Sequence, residues 1–376
     1  MKIRAAVLQS IGLPRPYRDS QPLRIEELEL DPPGDREVLV QIKAAGLCHS
    51  DLSVIDGNRP RPVPMALGHE AAGVVKAVGP GVTDLQVGDH VVAVFVPSCG
   101  QCAPCAEGRP ALCEPGAKAN TAGTLIGGGF RLRRANGEPI HHHLGVSGFA
   151  DHAVVSRNSL VKIDPRLPFE HAALFGCAVL TGVGAVVNTA GVKPGQSVAV
   201  VGLGGVGLNC VLGALVAGAS EVIAIDVADG KLELARQLGA TRTFNAAAAD
   251  VVAAVRAATD GGVDHAIEMA GSEKALELAY AITRRGGTTV TGGLAHPDRK
   301  LALQQVSLVA EERTLKGSYV GSCVPVRDVP RYVALFRQGR LPVDRLLSRT
   351  LRLEQINEGF DALADGLAVR QVVVFD

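Results

Sequence analysis

The segment SVAVVGLGGVGL, residues 197–208, constrains the fold more than any other part of the chain. An apolar run of strand type meets Gly202, Leu203, Gly204, Gly205, Val206 and Gly207, a G-x-G-x-x-G pattern, and then opens into an apolar helical stretch. Glycines at these spacings permit a tight turn and let the backbone approach a pyrophosphate. They also let the helix pack close to the strand, with its N-terminal N–H groups facing the phosphates. A second strand, EVIAID, ends in Asp226, 19 residues after Gly207. A carboxylate there can take both ribose hydroxyls of an adenosine and repels the extra phosphate of NADP, so the pattern predicts a site for NAD.

The surrounding texture agrees with a doubly wound α/β domain. From about residue 179, short apolar runs (SVAVVG, EVIAID, HAIEMAG, TTVTGG) alternate with helical stretches such as DGKLELARQLGA and SEKALELAYAITRRG, the signature of a parallel sheet wound with helices. The first part instead alternates apolar and polar residues around glycine and proline, as in REVLVQIKAAG and VGDHVVAV, which predicts a β-rich domain. The tail carries a helix near 327–338 and a last strand, QVVVF. The expected division is 1–178, 179–319 and a return to the first domain over 320–376.

Composition removes several function classes. Thirty-eight basic residues balance 38 acidic ones, and no basic run is dense enough for nucleic acid or an anionic membrane. The start, MKIRAAVLQSIG, lacks the pattern of a secretory signal, so a cytoplasmic location is expected. The charge-free stretch between Lys193 and Glu221 is long enough for a membrane helix, but seven glycines divide it as a strand, a turn and a buried helix would.

Eight cysteines without a secretion signal point to metal binding or chemistry rather than disulfides. CGQCAPCAEGRPALC places Cys99, Cys102, Cys105 and Cys113 in a glycine- and proline-rich loop, a donor set that suits a closed tetrahedral zinc site. An iron–sulfur cluster uses similar spacing, and the hydride-carrier setting favours zinc. Cys48, His69 and Cys177 make a second set, one imidazole and two thiolates, of the kind that leaves a catalytic zinc its fourth position. Spacing alone does not single them out, because a His-Glu pair such as His69-Glu70 is also common as a satisfied polar pair. Cys210 and Cys323 match no metal motif and read as buried small hydrophobes.

GLCHSD, LGHEAAG, the four-cysteine loop, GC…LTG, VGLGGVG and INEGF follow one another as in the zinc-dependent alcohol dehydrogenases of the medium-chain dehydrogenase/reductase family, which the whole chain resembles. The run GEPIHHHLGVSGFADHAVV and the end VRQVVVF resemble the long-form branch, with the animal alcohol dehydrogenases and the glutathione-dependent formaldehyde dehydrogenases. The resemblance implies a GroES-like catalytic domain joined to a Rossmann cofactor domain, two zinc ions per chain, NAD, and a small alcohol or aldehyde as substrate. It implies that Cys48, His69 and Cys177 hold the catalytic zinc and that the four-cysteine loop holds a structural one. Ser50 then matches the hydroxyl that accepts the alcohol proton, Asp51 the carboxylate that orients His69, and Glu70 the acid beside the metal. His49 and Arg370 match positions that reach the cofactor pyrophosphate, Thr181 falls near the nicotinamide and Lys231 near the adenosine ribose. Relatives pair through the edge strands of their cofactor domains, so a homodimer is implied, with a tetramer as the alternative.

Two departures bear on function. Ser53 stands where many relatives carry a histidine at the outer end of a proton relay, and serine is no base near neutral pH. The loop DGNRPRPVP carries Arg59 and Arg61 where the formaldehyde dehydrogenases carry acidic residues that hold glutathione. Phe95, His143 and Leu294 match or fall near positions that wall the substrate channel, with Arg59 at its mouth, so medium-chain or aromatic primary alcohols are expected. The rival readings are an S-hydroxymethylglutathione dehydrogenase, a polyol or cinnamyl-type dehydrogenase, and a catalytically silent NAD-binding protein. The run His141 to His143 reads as ordinary loop sequence rather than a third metal site.

Overall fold

The structure, a computed structural model, describes residues 1–376, which divide into two compact units. The first comprises Met1–Cys177, Val324–Val333 and Val343–Asp376, and the second Ala178–Cys323 and Ala334–Pro342. The expected boundaries at 178 and 319 therefore move to 177 and 323. Residues 334–342, which were assigned to the returning tail, belong to the second unit.

The first unit opens with strands β1 (Lys2–Leu8), β2 (Leu23–Leu30), β3 (Glu37–Gly46), β4 (Met65–Ala66), β5 (Glu70–Val78) and β6 (His90–Ala93). It continues with β7 (Leu132–Arg133), β8 (Pro139–His142), β9 (His152–Ser156) and β10 (Leu160–Lys162). In the order β1-β2-β7-β8-β4, five of them close a barrel. Ile3, Val7, Leu28, Leu30, Leu132 and Ile140 form its buried core. In β3 the middle residues VQIKA alternate buried and half-buried side chains, as a strand with one face on a core should.

The second unit holds β11 (Ser197–Val201), β12 (Glu221–Asp226), β13 (Arg242–Asn245), β14 (Val263–Glu268), β15 (Thr283–Thr291) and β16 (Thr314–Gly317) in one parallel sheet, ordered β13-β12-β11-β14-β15-β16. After its first residue, SVAVV is buried throughout, as in a parallel sheet covered on both faces, and Val255 and Ile282 pack with the Ala199 and Val201 face. The strand order reverses between β11 and β14, the switch point at which open α/β sheets take ligands. The charge-free stretch is strand β11, a turn and the helix Gly205–Val216, and no single helix is long and apolar enough to cross a membrane. One expected helix is shorter than its pattern: it spans Glu273–Ile282, and Thr283 begins β15. The Thr283 hydroxyl donates to the Ala279 carbonyl and so ties off the last turn.

The last two strands, β17 (Leu347–Leu351) and β18 (Arg370–Val374), return to the first unit. They complete a sheet ordered β10-β6-β5-β3-β18-β17, with β9 paired to another part of β3. Val372 lies opposite Gly46, so β18 delivers Arg370 beside Leu47 at the end of β3.

Candidate active site

Cys48 stands at the N-terminus of the helix His49–Ile55, just past β3, and His69 immediately precedes β5. Gly68 has φ +93°, and a Cβ there would sit 2.4 Å from the Phe149 backbone nitrogen, so the bend that presents His69 requires glycine. Cys177 follows the tight turn Ala173–Gly176. These three elements bring ligand atoms of Cys48, His69, Glu70 and Cys177 within 4.8 Å of one another, all from buried residues.

The donor set fits a zinc ion. Two sulfurs and an imidazole are the soft and borderline donors zinc selects, and the His69 Nε2 is buried without a hydrogen-bond partner. Contact with the Cys177 thiol, aided by His69 and Arg370, holds the Cys48 thiol well below its ordinary pKa despite burial, which favours the thiolate a metal needs.

Asp51 lies behind His69. Its Oδ2 is 3.1 Å from His69 Nδ1, and its Oδ1 accepts the Gly68 N–H at 3.0 Å. Burial would raise the Asp51 pKa, but the charge of His69 and the contacts of His143 and His69 outweigh it and keep the group ionised. His143 departs from its expected place on the channel wall. Its ring is 1% exposed, with Nδ1 3.1 Å from Asp51 Oδ1 and its plane edge-on to His69. Arg370 lies in the same buried region: its Nη2 donates to both Glu70 oxygens at 2.6 and 2.8 Å. Burial pushes Glu70 up to about 7 against the pull of Arg370.

The four-cysteine loop forms a second donor cluster, with the sulfurs of Cys99, Cys102, Cys105 and Cys113 within 4.8 Å of one another. Backbone N–H groups of Gln101 and Cys102 donate to Cys99 Sγ at 3.5 and 3.2 Å, and those of Cys99 and Gly116 to Cys113 Sγ at 3.2 and 3.4 Å. The donors from Gln101 and Cys102 lower the Cys99 pKa to about 6. Four converging sulfurs with no second kind of donor suit a closed structural zinc site.

In the second unit the glycine turn is as tight as its pattern requires. Gly202 has φ +92°, and a Cβ on Gly207 would lie 1.8 Å from the Gly202 carbonyl oxygen. Gly204 begins the helix Gly205–Val216, with open space where its side chain would be. Asp226, at the end of β12, accepts the Leu203 N–H at 2.7 Å and the Ala228 N–H at 3.0 Å, which ties the carboxylate to the turn. Val206 is half-buried, as are Thr181 in the helix Ala178–Gly184 and Lys231 in the helix Asp229–Gln237.

Other expected residues are distributed as follows. His49 is exposed and Ser50 half-buried at the start of their helix. The Ser53 hydroxyl is spent on the Ser50 carbonyl at 2.9 Å. Phe95 is buried edge-on to His69, with ring centroids 5.2 Å apart. Leu294 is 51% exposed, and half-buried Arg59 gives its backbone N–H to the Ser53 carbonyl. Sequence reasoning missed the Glu70–Arg370 pair and the approach of His143 to Asp51. Both join residues far apart in the chain, and only the histidine run hinted at the second.

Residues 34–165 match the family described as alcohol dehydrogenase GroES-like domain, and residues 205–338 that described as zinc-binding dehydrogenase. The chain is 41% identical over 379 residues to the NDMA-dependent alcohol dehydrogenase of Amycolatopsis methanolica, covering 100% of this chain and 99% of that protein. Among solved structures, an alcohol dehydrogenase zinc-binding domain protein from Burkholderia ambifaria superposes with a TM-score of 0.94 at 38% identity, over 100% of this chain and 99% of that one. Benzyl alcohol dehydrogenase from Acinetobacter calcoaceticus does so with a TM-score of 0.93 at 34% identity, over the full length of both chains. With the two metal-type donor clusters and the glycine turn in hand, the chain belongs to the zinc-dependent alcohol dehydrogenases of the medium-chain dehydrogenase/reductase family.

Proposed function

We propose that the protein interconverts primary alcohols and aldehydes with NAD as hydride carrier, favouring medium-chain or aromatic substrates. The observation that carries this reading is the buried Cys48–His69–Cys177 donor set with Phe95 edge-on to His69. Zinc held there supplies Lewis acidity, which lowers the pKa of an alcohol hydroxyl and polarises an aldehyde carbonyl. The chain's own residues do the rest. Asp51 orients His69, the Phe95 ring offers an apolar wall, and the Ser50 hydroxyl, two residues after Cys48, passes the alcohol proton outward. Asp226 supports NAD over NADP, since its carboxylate repels a 2′-phosphate and can accept from ribose hydroxyls.

Aromatic preference also draws support from the likeness to a benzyl alcohol dehydrogenase. Arg59 and Arg61 in place of acidic residues speak against glutathione adducts. A homodimer is proposed from β16, the edge of its sheet, and from Val306 and Val309, which are 60% and 74% exposed on the helix Gln305–Ala310.

The test is the initial rate of NADH formation by zinc-replete protein with short, long, aromatic and carboxylated alcohols. S-hydroxymethylglutathione and NADP serve as controls, and parallel assays contain NDMA because one relative depends on it. Turnover of benzyl or medium-chain alcohols with NAD is the expected result. Turnover of S-hydroxymethylglutathione alone, or of nothing in a protein holding two zinc ions per chain, would overturn it.

A further inference from the structure

We propose that His143 is a positioning residue for the metal centre: it steadies Asp51, and through Asp51 the orientation of the ligand His69. The inference rests on the zinc reading of the Cys48–His69–Cys177 set.

The geometry is that of one carboxylate between two imidazoles. Asp51 Oδ2 is 3.1 Å from His69 Nδ1, and Oδ1 is 3.1 Å from His143 Nδ1 while also taking the Gly68 N–H. Asp51 and His69 are fully buried and His143 is 1% exposed, so no bulk water shares this charge. A nitrogen this close to a carboxylate oxygen must carry the hydrogen, because two lone pairs would repel; Nδ1 of His143 is therefore a donor.

Asp51 Oδ2 and both Nδ1 atoms are buried at hydrogen-bonding distance but without regular hydrogen-bond geometry, so the contacts are those of packed ion-pair partners. A buried carboxylate in this position is free to rotate unless both of its oxygens are engaged. Gly68 is one anchor for Oδ1, and its N–H belongs to the same bend that carries His69, so it moves with the ligand. His143 is the anchor from a different segment, the stretch just after β8, whose backbone is held by Ala66 O and Ser147 Oγ at 3.3 and 3.1 Å. It therefore gives Asp51 a second anchor, on a segment that is itself hydrogen-bonded to Ala66, Leu67 and Gly68 ahead of the ligand. Groups that hydrogen-bond metal ligands set ring orientation and basicity, and removing them lowers metal affinity about 10–100-fold; Asp51 is that group for His69, and His143 acts through it, so that range is the upper bound for His143.

The rival is that His143 is itself a ligand, since Asp51, His69 and His143 also offer donor atoms within 4.8 Å of one another. The same atoms lie at hydrogen-bonding distances, which favours positioning.

The experiment compares wild type, His143→Leu and His143→Asn, the last retaining an amide N–H close to the Nδ1 position. Zinc is counted per chain, its release to a colorimetric chelator is followed in time, and the visible spectrum is recorded after cobalt replaces the catalytic ion. Wild type should hold two ions. His143→Leu should speed the release of one of them by up to about 10–100-fold, leave the four-cysteine ion untouched and shift the cobalt bands, and His143→Asn should restore most of both properties. Three ions in wild type with one lost in both variants would make His143 a ligand and overturn the proposal. So would wild-type release and spectra in a folded His143→Leu protein, or faster release of both ions without rescue by asparagine. A wild type whose trio binds no ion would refute the zinc reading itself, and the count separates that failure from the others.

Discussion

Arg370 and Glu70 meet 300 residues apart in the chain, with one guanidinium nitrogen 2.6 and 2.8 Å from the two carboxylate oxygens and both side chains buried. The last strand of the protein thus reaches past β3 in the same sheet to the first residue of β5 through an ion pair. Removing one member of a buried pair leaves the other charged and unsolvated, which costs about 3–5 kcal/mol. Arg370→Met should lower stability by that order, measured by urea unfolding, and Arg370→Met combined with Glu70→Gln should recover part of it. Equal losses in the single and double variants would show that Arg370 contributes by packing alone.

Asp226 serves the turn as well as the proposed cofactor. Replacing it by serine removes a carboxylate that accepts two backbone N–H groups, so a modest loss of stability of about 1–3 kcal/mol should accompany weaker NAD binding. Asp226→Asn keeps an acceptor but not the charge and separates the two effects. Its ratio of kcat/KM for NAD to that for NADP should fall at least about tenfold, a change of about 1.4 kcal/mol. A ratio equal to that of wild type would show that the carboxylate does not select the cofactor.

Ser53 gives its hydroxyl to the Ser50 carbonyl and offers no base to a proton leaving Ser50. Ser53→His places an imidazole at the outer side of that hydroxyl, so alcohol oxidation should rise on the acid side of neutrality, where hydroxide is scarce. The measurement is kcat against pH for both proteins. Superimposable profiles would mean that the proton leaves by another path.

His142 should make stability depend on pH. Its Nε2 accepts the Arg131 N–H at 3.0 Å, and burial, with Arg131 and His141 nearby, pushes its pKa down to about 3 from 6.5. The unfolded chain therefore takes up a proton below about 6.5 that the folded chain refuses until about 3. Stability is fully present above 6.5 and falls as the pH drops through that window, by up to about 1.4 kcal/mol per pH unit. His142→Gln keeps an acceptor without the titration and should flatten urea-unfolding stability between about pH 7 and about pH 5. An unchanged slope would place the acid sensitivity in other groups.

Much of the design is local and therefore legible in the chain. Strand periodicity, the glycines at 202 and 207 and the carboxylate at 226 lie within one strand-turn-helix-strand unit, where spacing dictates geometry. The four-cysteine loop is equally local, because thiolates 3 to 8 residues apart can meet without help from a distant element. Cys48, His69 and Cys177 could be paired only through resemblance, since nothing in a 129-residue separation states that their sulfurs and nitrogen converge.

Tertiary structure decided the rest. It placed Arg370 on Glu70 by inserting the last strand beside β3, and it turned His143 from an expected channel wall into a partner of Asp51 by running its segment past Gly68 and Ala66. It also moved residues 334–342 into the second unit. Sequence determined the elements and the local motifs because bond geometry and hydrophobic periodicity act over a few residues. Which buried charges face each other depends on how strands distant in the chain come into register. That is fixed only when the sheets assemble and water leaves the site.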